Sequence, residues 1–404
     1  MTLFQQFIKD HREDDVRELA LRAGRYPDID VPGAVVQISG WQSARHKLPL
    51  WAATEGIVYP VHLSLEQCSS QATAEYKRHI LKRIFNLQAS SCPCALSSMA
   101  DLTGGFGVDA AMMARCFDRL IFVEQKKELC DIASTNLPLL DIHHLEIIHG
   151  DSEKALSSIP HQNLIYIDPA RRDSHGGKTV AIKDCTPDVT ELNDTLLARA
   201  DIVMIKLSPM LDLSSAGREL KGIKEIHVVS VDGECKETLF LLSEDCIWEY
   251  TPRIFCTNIT QQGVAEFSFT SEEERTAVCR YTDTLERFLY EPNASVMKAS
   301  AFKSLASRFR MDKLHPSSHL YTSDDLHEDF PGRKFTIEAC TSFSKKELKR
   351  FMSGEKKANL TVRNFPATVS ELRKKMKLAE GGDTYLFATT LADGSHVIIK
   401  CKRI

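Results

Sequence analysis

Short apolar runs alternate with helix-forming segments through the middle of the chain. Four of the runs have the length of a strand, and they cover residues 98–101, 119–124, 145–149 and 163–167. A helix is predicted to follow the glycines after the first run, over residues 108–117. Strands that alternate with helices predict a parallel sheet covered by helices, which is an α/β fold.

The α/β pattern continues to about residue 245. A fifth strand is predicted over residues 202–207. Residues 225–231 and 237–243 then flank the turn at Asp232-Gly233, which predicts a terminal hairpin. We therefore assign the α/β domain to residues 91–250.

The first 90 residues have a helical pattern. Helix-compatible segments at 14–23, 32–44 and 72–85 are separated by proline-containing breaks. This predicts a helical N-terminal region, residues 1–90, that precedes the α/β domain.

Two small modules are predicted after residue 250. The first, residues 251–330, contains a strand-like piece at 263–269 and an acidic helix start at 271–274. The second, residues 331–404, runs strand, helix, strand, helix and two strands, predicted at 333–340, 344–351, 359–362, 369–377, 384–389 and 396–400. Both are expected to be small α+β domains.

Composition indicates an ordinary globular protein. The chain has 404 residues, 43% of them apolar, which is enough for two or three domains. It shows neither a signal-peptide pattern nor an apolar run of membrane-spanning length, so a soluble cytoplasmic protein is expected. The 12 cysteines are scattered apart from Cys92-Pro93-Cys94, and the 14 histidines form no ligand pair, so no metal site is predicted.

Charge is segregated along the chain. Residues 331–404 contain 16 Lys and Arg against 7 Asp and Glu, a net charge of +9. Because the whole chain carries −4, the preceding residues carry −13. A basic module on an acidic protein is typical of contact with a polyanion. The alternative is a solvated helix face, since Lys345, Lys346, Lys349 and Arg350 share one predicted helix and Arg373, Lys374, Lys375 and Lys377 another.

The glycine-rich turn after the first strand is the most informative motif. Asp101-Leu102-Thr103-Gly104-Gly105-Phe106-Gly107 places an acid at the strand end and glycines where a backbone can approach a ligand closely. Gly105, Gly107 and Ala110 also fit a relaxed dinucleotide-binding pattern. The Asp101 carboxylate favours a different ligand, because it repels a pyrophosphate and attracts the ammonium and sulfonium groups of S-adenosylmethionine.

Three further strand ends carry acidic residues. Glu124 is placed to accept hydrogen bonds from the ribose hydroxyls of the ligand, and Asp151 is placed to accept one from its adenine amino group. Asp168 follows the fourth strand and precedes Pro169. Each acid alone is also explained as a helix N-cap or a solvated turn residue. Since the carboxyl ends of parallel strands meet at one edge, the four acids together favour a single binding crevice.

These motifs resemble those of class I S-adenosylmethionine-dependent methyltransferases over about residues 90–245. The resemblance implies a Rossmann-like seven-stranded sheet whose last strand is antiparallel, with S-adenosyl-L-methionine as cofactor. Ser69 and Ser70 lie in a segment similar to one that touches the methionine end of the donor in many base-modifying methyltransferases, although a serine N-cap explains them equally well. The donor-binding residues so implied are Asp101, Thr103, Gly104, Gly105, Gly107, Glu124, Asp151, Ser152, Ser69 and Ser70.

The C-terminal modules resemble a ferredoxin-like domain followed by a THUMP-like domain. In enzymes that modify transfer RNA, that pair recognises the RNA. The segments 290–295 and 314–321 resemble those of a family of RNA methyltransferase-like proteins that carry both modules. In many THUMP enzymes the RNA-binding module precedes the catalytic domain, whereas here it follows, so the binding mode cannot be carried over.

Residues after the fourth and fifth strands restrict the chemistry. Neither Asp168-Pro169-Ala170-Arg171 nor Lys206-Leu207-Ser208-Pro209 offers the cysteine nucleophile needed to methylate C5 of a pyrimidine. Asp168 and Pro169 match the start of the Asp/Asn-Pro-Pro-aromatic tetrad of amine methylation, whereas Ala170 and Arg171 depart from it. The candidate catalytic residues are Asp168, Pro169 and Arg171, and the candidate substrate-binding residues are Arg172, Lys206 and Ser208. Ordinary ion pairing explains Arg172 and Lys206 equally well.

The sequence as a whole predicts a methyltransferase that acts on a purine nitrogen in structured RNA such as transfer RNA. One alternative is a small-molecule methyltransferase with an appended domain, against which the basic module argues. The other is a non-catalytic RNA-binding protein with a degenerate donor pocket, against which the intact strand-end motifs argue. The oligomeric state is not predicted.

Overall fold

The computed structural model describes residues 2–87, 97–171, 181–246, 251–351 and 355–404. The chain divides into two compact units, residues 1–224 with 238–250 and residues 225–237 with 251–404. Cys92, Pro93, Cys94 and Arg172 lie outside the described residues, as does the side chain of Arg171.

Six α-helices are described before residue 88. They are α1 (Leu3–His11), α2 (Val16–Leu21), α3 (Val31–Lys47), α4 (Pro49–Ala53), α5 (His62–Gln67) and α6 (Gln71–Ile84). Side-chain caps help to fix their starts, because Asp15 accepts hydrogen bonds from two backbone N–H groups at α2 and Ser70 accepts one at α6. Phe7, Leu19 and Ile38 pack together in a core formed by the first helices.

Strands and helices alternate from residue 98 onwards. The strands are β1 (Ser98–Asp101), β2 (Arg119–Glu124), β3 (Leu145–His149), β4 (Gln162–Ile167), β5 (Ala170–Arg171), β6 (Cys185–Thr186), β7 (Ala200–Leu207), β8 (Ile223–Val231) and β9 (Glu234–Leu242). The helices are α7 (Val108–Met113), α8 (Lys127–Leu139), α9 (Ser152–Ser158), α10 (Val189–Arg199) and α11 (Leu213–Glu219). The helix predicted over 108–117 is shorter than expected, since a 3₁₀ turn follows it at Ala114–Cys116.

The main sheet of the first unit has the strand order β9-β7-β4-β1-β2-β3. Strands β7, β4, β1, β2 and β3 are parallel, whereas β9 is antiparallel to β7. Ala100 of β1 lies opposite Ile121 of β2 on one side and Ile165 of β4 on the other, and all three are buried. Continuous burial is what a parallel sheet covered on both faces requires. The predicted α/β fold is confirmed.

Among the residues described, the second unit contains three paired strands, β8, β10 (Arg253–Thr260) and β11 (Gly263–Thr270), and a seven-stranded sheet. Residues 225–231 of β8 pair in parallel with β10, which pairs antiparallel with β11. The seven-stranded sheet has the order β13-β14-β12-β15-β18-β17-β16, in which β12 is Phe288–Pro292, β13 Asp312–Lys313, β14 Tyr321–Ser323, β15 Gly332–Ser342, β16 Asn359–Arg363, β17 Thr384–Thr390 and β18 His396–Arg403. The helices are α12 (Ser271–Thr276), α13 (Ala294–Ala299), α14 (Lys303–Phe309), α15 (Lys345–Phe351) and α16 (Val369–Met376).

The second unit is a mixture of helices and mainly antiparallel strands, as its predicted α+β class requires. Leu289, Phe335, Phe387 and Ile399 form one of its apolar clusters, in which strands from both halves of the seven-stranded sheet meet. None of the helices in the described ranges is long and apolar enough to cross a bilayer.

Candidate active site

The carboxyl ends of β1, β2 and β4 meet at one edge of the sheet. Asp101 is the last residue of β1 and lies in register with Phe122 of β2 and Tyr166 of β4. Glu124 ends β2, and Asp168 follows β4 directly. Three of the predicted strand-end acids therefore lie on neighbouring strands.

The glycine loop after β1 is held against the end of β2. Gly105 N–H donates to Glu124 Oε2 at 2.9 Å, and Gly104 N–H donates to the Val123 carbonyl at 2.9 Å. A Cβ on Gly104 would lie 2.2 Å from the Phe122 ring, so no larger residue fits there without a shift. Gly107 has φ +81° and is the N-cap of α7, a conformation that favours glycine. The loop therefore needs glycine at these positions.

Both oxygens of Glu124 accept backbone hydrogen bonds. Gly105 N–H donates to Oε2, and Lys126 N–H donates to Oε1 at 2.7 Å. These bonds fix the carboxylate plane, and each oxygen keeps a second lone pair. Glu124 is thus oriented to accept hydroxyl donors such as those of a ribose.

The carboxyl group of Asp101 is almost completely buried. Thr103 N–H donates to its Oδ1 at 3.0 Å. Burial, reinforced by the nearby carboxylates of Asp109 and Asp168, raises the pKa of Asp101 to about 8. A cation bound beside Asp101 would favour its ionised form, so the site is suited to a positively charged ligand group.

Thr103 connects the glycine loop to the end of β4. Its Oγ1 accepts a hydrogen bond of 2.7 Å from Asp168 N–H. Leu102 N–H likewise donates to the Tyr166 carbonyl at 3.0 Å. The glycine loop and Asp168 are therefore held in a fixed position relative to each other.

Asp109, in the first turn of α7, is the centre of a buried polar cluster. Its Oδ2 accepts hydrogen bonds from Ser69 Oγ and the Tyr166 hydroxyl, both at 2.7 Å. Lys77 Nζ lies 3.0 Å from Oδ1, and Lys206 Nζ lies 3.6 Å from Oδ2. Burial opposes the ionisation of Asp109, but the two ammonium groups and the two hydroxyl donors hold its pKa well below the usual range. Asp109 is therefore ionised at neutral pH.

Lys206, at the end of β7, extends this cluster to Asp168. Its Nζ lies 2.5 Å from Asp168 Oδ2 and donates to Ser69 Oγ at 3.1 Å. The Lys206 side chain is only 12% exposed, whereas that of Asp168 is 35% exposed. The cluster thus reaches solvent through Asp168.

Lys77, Asp109 and Tyr166 are the residues of this cluster that the sequence analysis missed. Asp109 belongs to the same motif as Gly107, two positions earlier. Lys77 lies three residues after Ala74 and three before Ile80, on the buried face of α6. A lysine within an apolar stripe, and an acid directly after a glycine loop, are the features that indicate such a pair.

Several predicted donor-binding residues have structural roles in the protein. Ser70 Oγ accepts from Thr73 N–H as the N-cap of α6, and Asp151 accepts from Glu153 N–H and Lys154 N–H as the N-cap of α9. The cap explanation therefore describes what these two side chains do here. Ser152 is buried, and its Oγ donates to the Leu102 carbonyl at 2.7 Å, which adds a further tether to the glycine loop.

The remaining predicted residues lie near the ends of β4 and β7. Pro169 is buried, and Arg171 belongs to β5, opposite Cys185 of β6. Ser208 Oγ accepts a hydrogen bond from Met210 N–H at 3.3 Å.

No group of three His, Cys, Asp or Glu side chains is placed to hold a metal ion within the ranges that the structure describes.

The basic C-terminal segment, residues 331–404, presents exposed cations on α16. Lys374 and Lys375 are exposed, and Lys377 follows directly after the helix. A further pair of arginines, Arg333 and Arg363, is anchored on the buried carboxylate of Glu291. Both guanidinium groups belong to side chains that are at least about one-third exposed, so they can contact a polyanion.

Comparison with known domain families covers the C-terminal part of the chain. The model of a ferredoxin-like domain matches residues 288–331, and the model of a THUMP domain-like module matches residues 332–403. No curated protein sequence matches the chain.

Among solved structures, a putative methyltransferase from Porphyromonas gingivalis W83 is 34% identical to this chain. The alignment covers 99% of this chain and 97% of that chain, with a TM-score of 0.86. A putative RNA methyltransferase from Pyrococcus horikoshii is 13% identical over 50% of this chain and 98% of that chain, with a TM-score of 0.33. An rRNA methylase from Streptococcus thermophilus is 13% identical over 42% of this chain and 93% of that chain, with a TM-score of 0.30. Of these three, only the first likeness is close enough to show the family of this chain.

Proposed function

This chain belongs to the family of methyltransferase-fold proteins with ferredoxin-like and THUMP-like C-terminal domains that includes the Porphyromonas gingivalis protein, and from that premise we propose that it transfers a methyl group from S-adenosylmethionine to RNA. The observation that carries the proposal is the position of Asp101, Glu124 and Asp168 at the ends of three neighbouring parallel strands. In open α/β sheets, ligands bind at this edge.

The residues present fit the donor. The buried carboxyl of Asp101 suits a cationic group, and the donor carries both an ammonium and a sulfonium. Glu124 has its carboxylate oriented by two backbone N–H groups and accepts the ribose hydroxyls. The absence of a side chain on Gly105 lets the backbone approach the nucleoside, while its absence on Gly104 makes room for the Phe122 ring behind the loop. Both cap hydrogen bonds of α9 reach Asp151 Oδ1, so the acceptor proposed for the adenine amino group is Oδ2.

Asp168 is the residue proposed to contact the acceptor. When bound, the donor supplies a methyl group attached to positively charged sulfur, so a neutral nitrogen with a lone pair suffices as the nucleophile. Asp168 accepts a hydrogen bond from an N–H of that nitrogen and so positions it towards the methyl carbon. The N–CH3 bond would form as the S–CH3 bond breaks, S-adenosylhomocysteine would leave, and the N–H proton would pass to the Asp168 carboxylate. Pro169, Arg171 and Arg172 follow Asp168 closely in the sequence, and we propose that the two arginines hold phosphate or stack on a base.

The Asp168 carboxylate favours a methyl-accepting nitrogen that carries a hydrogen, and this restricts the class of substrate. A carboxylate repels the lone pair of a ring nitrogen that carries no hydrogen, whereas it binds an amino group or a ring N–H. We therefore propose a purine nitrogen of this kind in structured RNA, with transfer RNA as the first substrate to test. The exposed cations of the THUMP-like module supply the phosphate contacts.

The test is transfer of a labelled methyl group from S-adenosylmethionine to unmodified total RNA. Wild type should label the RNA, whereas Asp168→Ala should lose activity by about 100-fold or more while it still binds S-adenosylhomocysteine. Mass analysis of the digested RNA then identifies the nucleoside. Labelling of a small metabolite in the absence of any labelled RNA would contradict the proposal.

A further inference from the structure

Four charged side chains of alternating sign form a row that ends at Asp168. Lys77 Nζ lies 3.0 Å from Asp109 Oδ1, Lys206 Nζ lies 3.6 Å from Asp109 Oδ2, and Lys206 Nζ lies 2.5 Å from Asp168 Oδ2. Each charge therefore has a neighbour of opposite sign. The row runs from the completely buried Lys77 to the partly exposed Asp168.

Lys206 is fixed from its buried side. Ser69 Oγ accepts a hydrogen bond from Lys206 Nζ and donates one to Asp109 Oδ2, so it bridges the lysine and the carboxylate. The Tyr166 hydroxyl donates to the same Asp109 oxygen. A buried network in which every member has a partner is rigid, and its interactions are strong because the local dielectric constant is low.

The shortest contact between Lys206 and Asp168 is made to one carboxylate oxygen, Oδ2. Nζ approaches Oδ2, whereas no hydrogen bond reaches Oδ1 from the residues for which the structure gives positions. Asp168 N–H is itself held by Thr103 Oγ1. Backbone and side chain are thus both restrained, while the Asp168 side chain is still 35% exposed.

We propose that Lys206 is a positioning residue for methyl transfer, which holds Asp168 through Oδ2 so that Oδ1 accepts the hydrogen bond from the acceptor nitrogen. The inference rests on the proposed function. It assigns Lys206 to the orientation of Asp168, in place of the direct substrate anchoring that the sequence suggested. Positioning of Asp168 requires both the positive charge of the Lys206 ammonium group and the length of the lysine side chain.

The experiment measures single-turnover methyl transfer to RNA in Lys206→Met and Lys206→Arg, with Lys154→Met as the control. Lys154 is exposed on α9, and its replacement should leave the rate unchanged. We expect Lys206→Met to lower the rate about 10- to 100-fold, since small misplacements of a reacting group have effects of this size. Lys206→Arg, which keeps the charge, should recover part of the loss. Affinity for S-adenosylhomocysteine should stay within about threefold.

A double-substitution cycle with Asp168→Asn separates positioning from a merely structural role. If Lys206 acts through Asp168, then Lys206→Met should reduce the rate by less than about threefold once Asp168 is already Asn, because interacting residues are non-additive. Should Lys206→Met be too unstable to assay, Lys206→Gln, which retains a donor towards Ser69, enters the same cycle.

The outcomes distinguish this inference from the function on which it rests. The inference would be overturned if the rate decreases of Lys206→Met and Asp168→Asn multiplied fully in the double variant, or if Lys206→Met were as fast as wild type. In both cases wild type would still methylate RNA, so the proposed function would stand. Wild type without transfer to any RNA would overturn both.

Discussion

Lys77 Nζ lies 3.0 Å from Asp109 Oδ1, in an ion pair of which the lysine side chain has no solvent exposure and the aspartate 10%. Buried pairs of this kind are sensitive to the loss of one partner, because the remaining charge has no water to solvate it. The pair connects α6 to the helix that begins at the glycine loop. Its integrity therefore bears on both folding and the donor site.

Asp109→Asn should lower the free energy of unfolding by about 3–5 kcal/mol, because it leaves Lys77 and Lys206 without their shared counter-charge. Urea unfolding at pH 7 measures the change. The matched control is Lys9→Met, which breaks the exposed pair with Glu55 and should change the stability by less than about 1 kcal/mol.

The pH dependence of the Asp109 effect has a definite sign. The folded-state pKa of this carboxyl lies below its ordinary value, so the stability it contributes is present at neutral pH and is lost as the pH falls through that lowered pKa. Wild type and Asp109→Asn should therefore converge only in strong acid. Equal stabilities of the two proteins at pH 7 would contradict the assignment.

Asp101→Asn should raise the melting temperature of the ligand-free protein. Burial raises the pKa of Asp101 to about 8, so folding becomes less favourable as the pH rises from the ordinary aspartate value towards 8, by roughly 1.4 kcal/mol per unit. Asn keeps the acceptor for Thr103 N–H without this penalty. The advantage of the variant should grow between pH 5 and pH 8, as followed by thermal unfolding.

The same Asp101→Asn substitution should weaken donor binding, because a neutral amide cannot pair with the donor ammonium. Stability and ligand affinity thus change in opposite directions, as at other sites that place a charge for function. If Asp101→Asn had a lower melting temperature than wild type at every pH, the Asp101 carboxyl would stabilise the fold and the account would be contradicted.

Gly104→Ala should disturb the glycine loop, since its Cβ would lie 2.2 Å from the Phe122 ring. We expect a loss of about 1–3 kcal/mol in unfolding free energy, typical of overpacking, together with weaker binding of S-adenosylhomocysteine. Gly217→Ala is the control, because nothing lies within 4 Å of a Cβ there. A Gly104→Ala variant with wild-type stability and affinity would show that the loop can relax at no cost.

Replacement of Lys374 and Lys377 by Gln should reduce the salt dependence of RNA binding. Each phosphate contact contributes about 0.9 to the slope of log K against log salt, so the double variant should lose up to about 2 from that slope. Fluorescence anisotropy with transfer RNA between low and moderate salt measures it. Lys154→Gln should leave the slope unchanged, and an unchanged slope in the double variant would place the RNA elsewhere.

Much of the fold was predictable because the relevant information is local. Each strand from β1 to β4 carries its own apolar run, and the acid that follows it is adjacent in sequence. The parallel arrangement then brings Asp101, Glu124 and Asp168 to one edge without further assumptions. Caps were predictable for the same reason, although the sequence could not decide between a cap and a ligand contact for Ser70 or Asp151.

The buried cluster was not predictable in the same way. Lys77, Asp109 and Lys206 lie on three elements far apart in the sequence, and a lysine on a helix with other cations is typical of a solvated face. The pair of Lys77 and Asp109 can be recognised only from the structure, in which α6 packs against α7. The sequence leaves a substrate contact and an ordinary ion pair equally open for Lys206, because nothing in it indicates that Asp109 lies behind this lysine.

The central claim is that a sulfonium nucleoside binds where β1, β2 and β4 end, and calorimetric titration of the pure protein tests it most directly. S-adenosylhomocysteine should bind wild type, while Glu124→Ala should weaken it by about 10-fold or more through loss of the ribose contact. No binding of S-adenosylmethionine or S-adenosylhomocysteine, together with tight binding of a nicotinamide dinucleotide, would contradict the account.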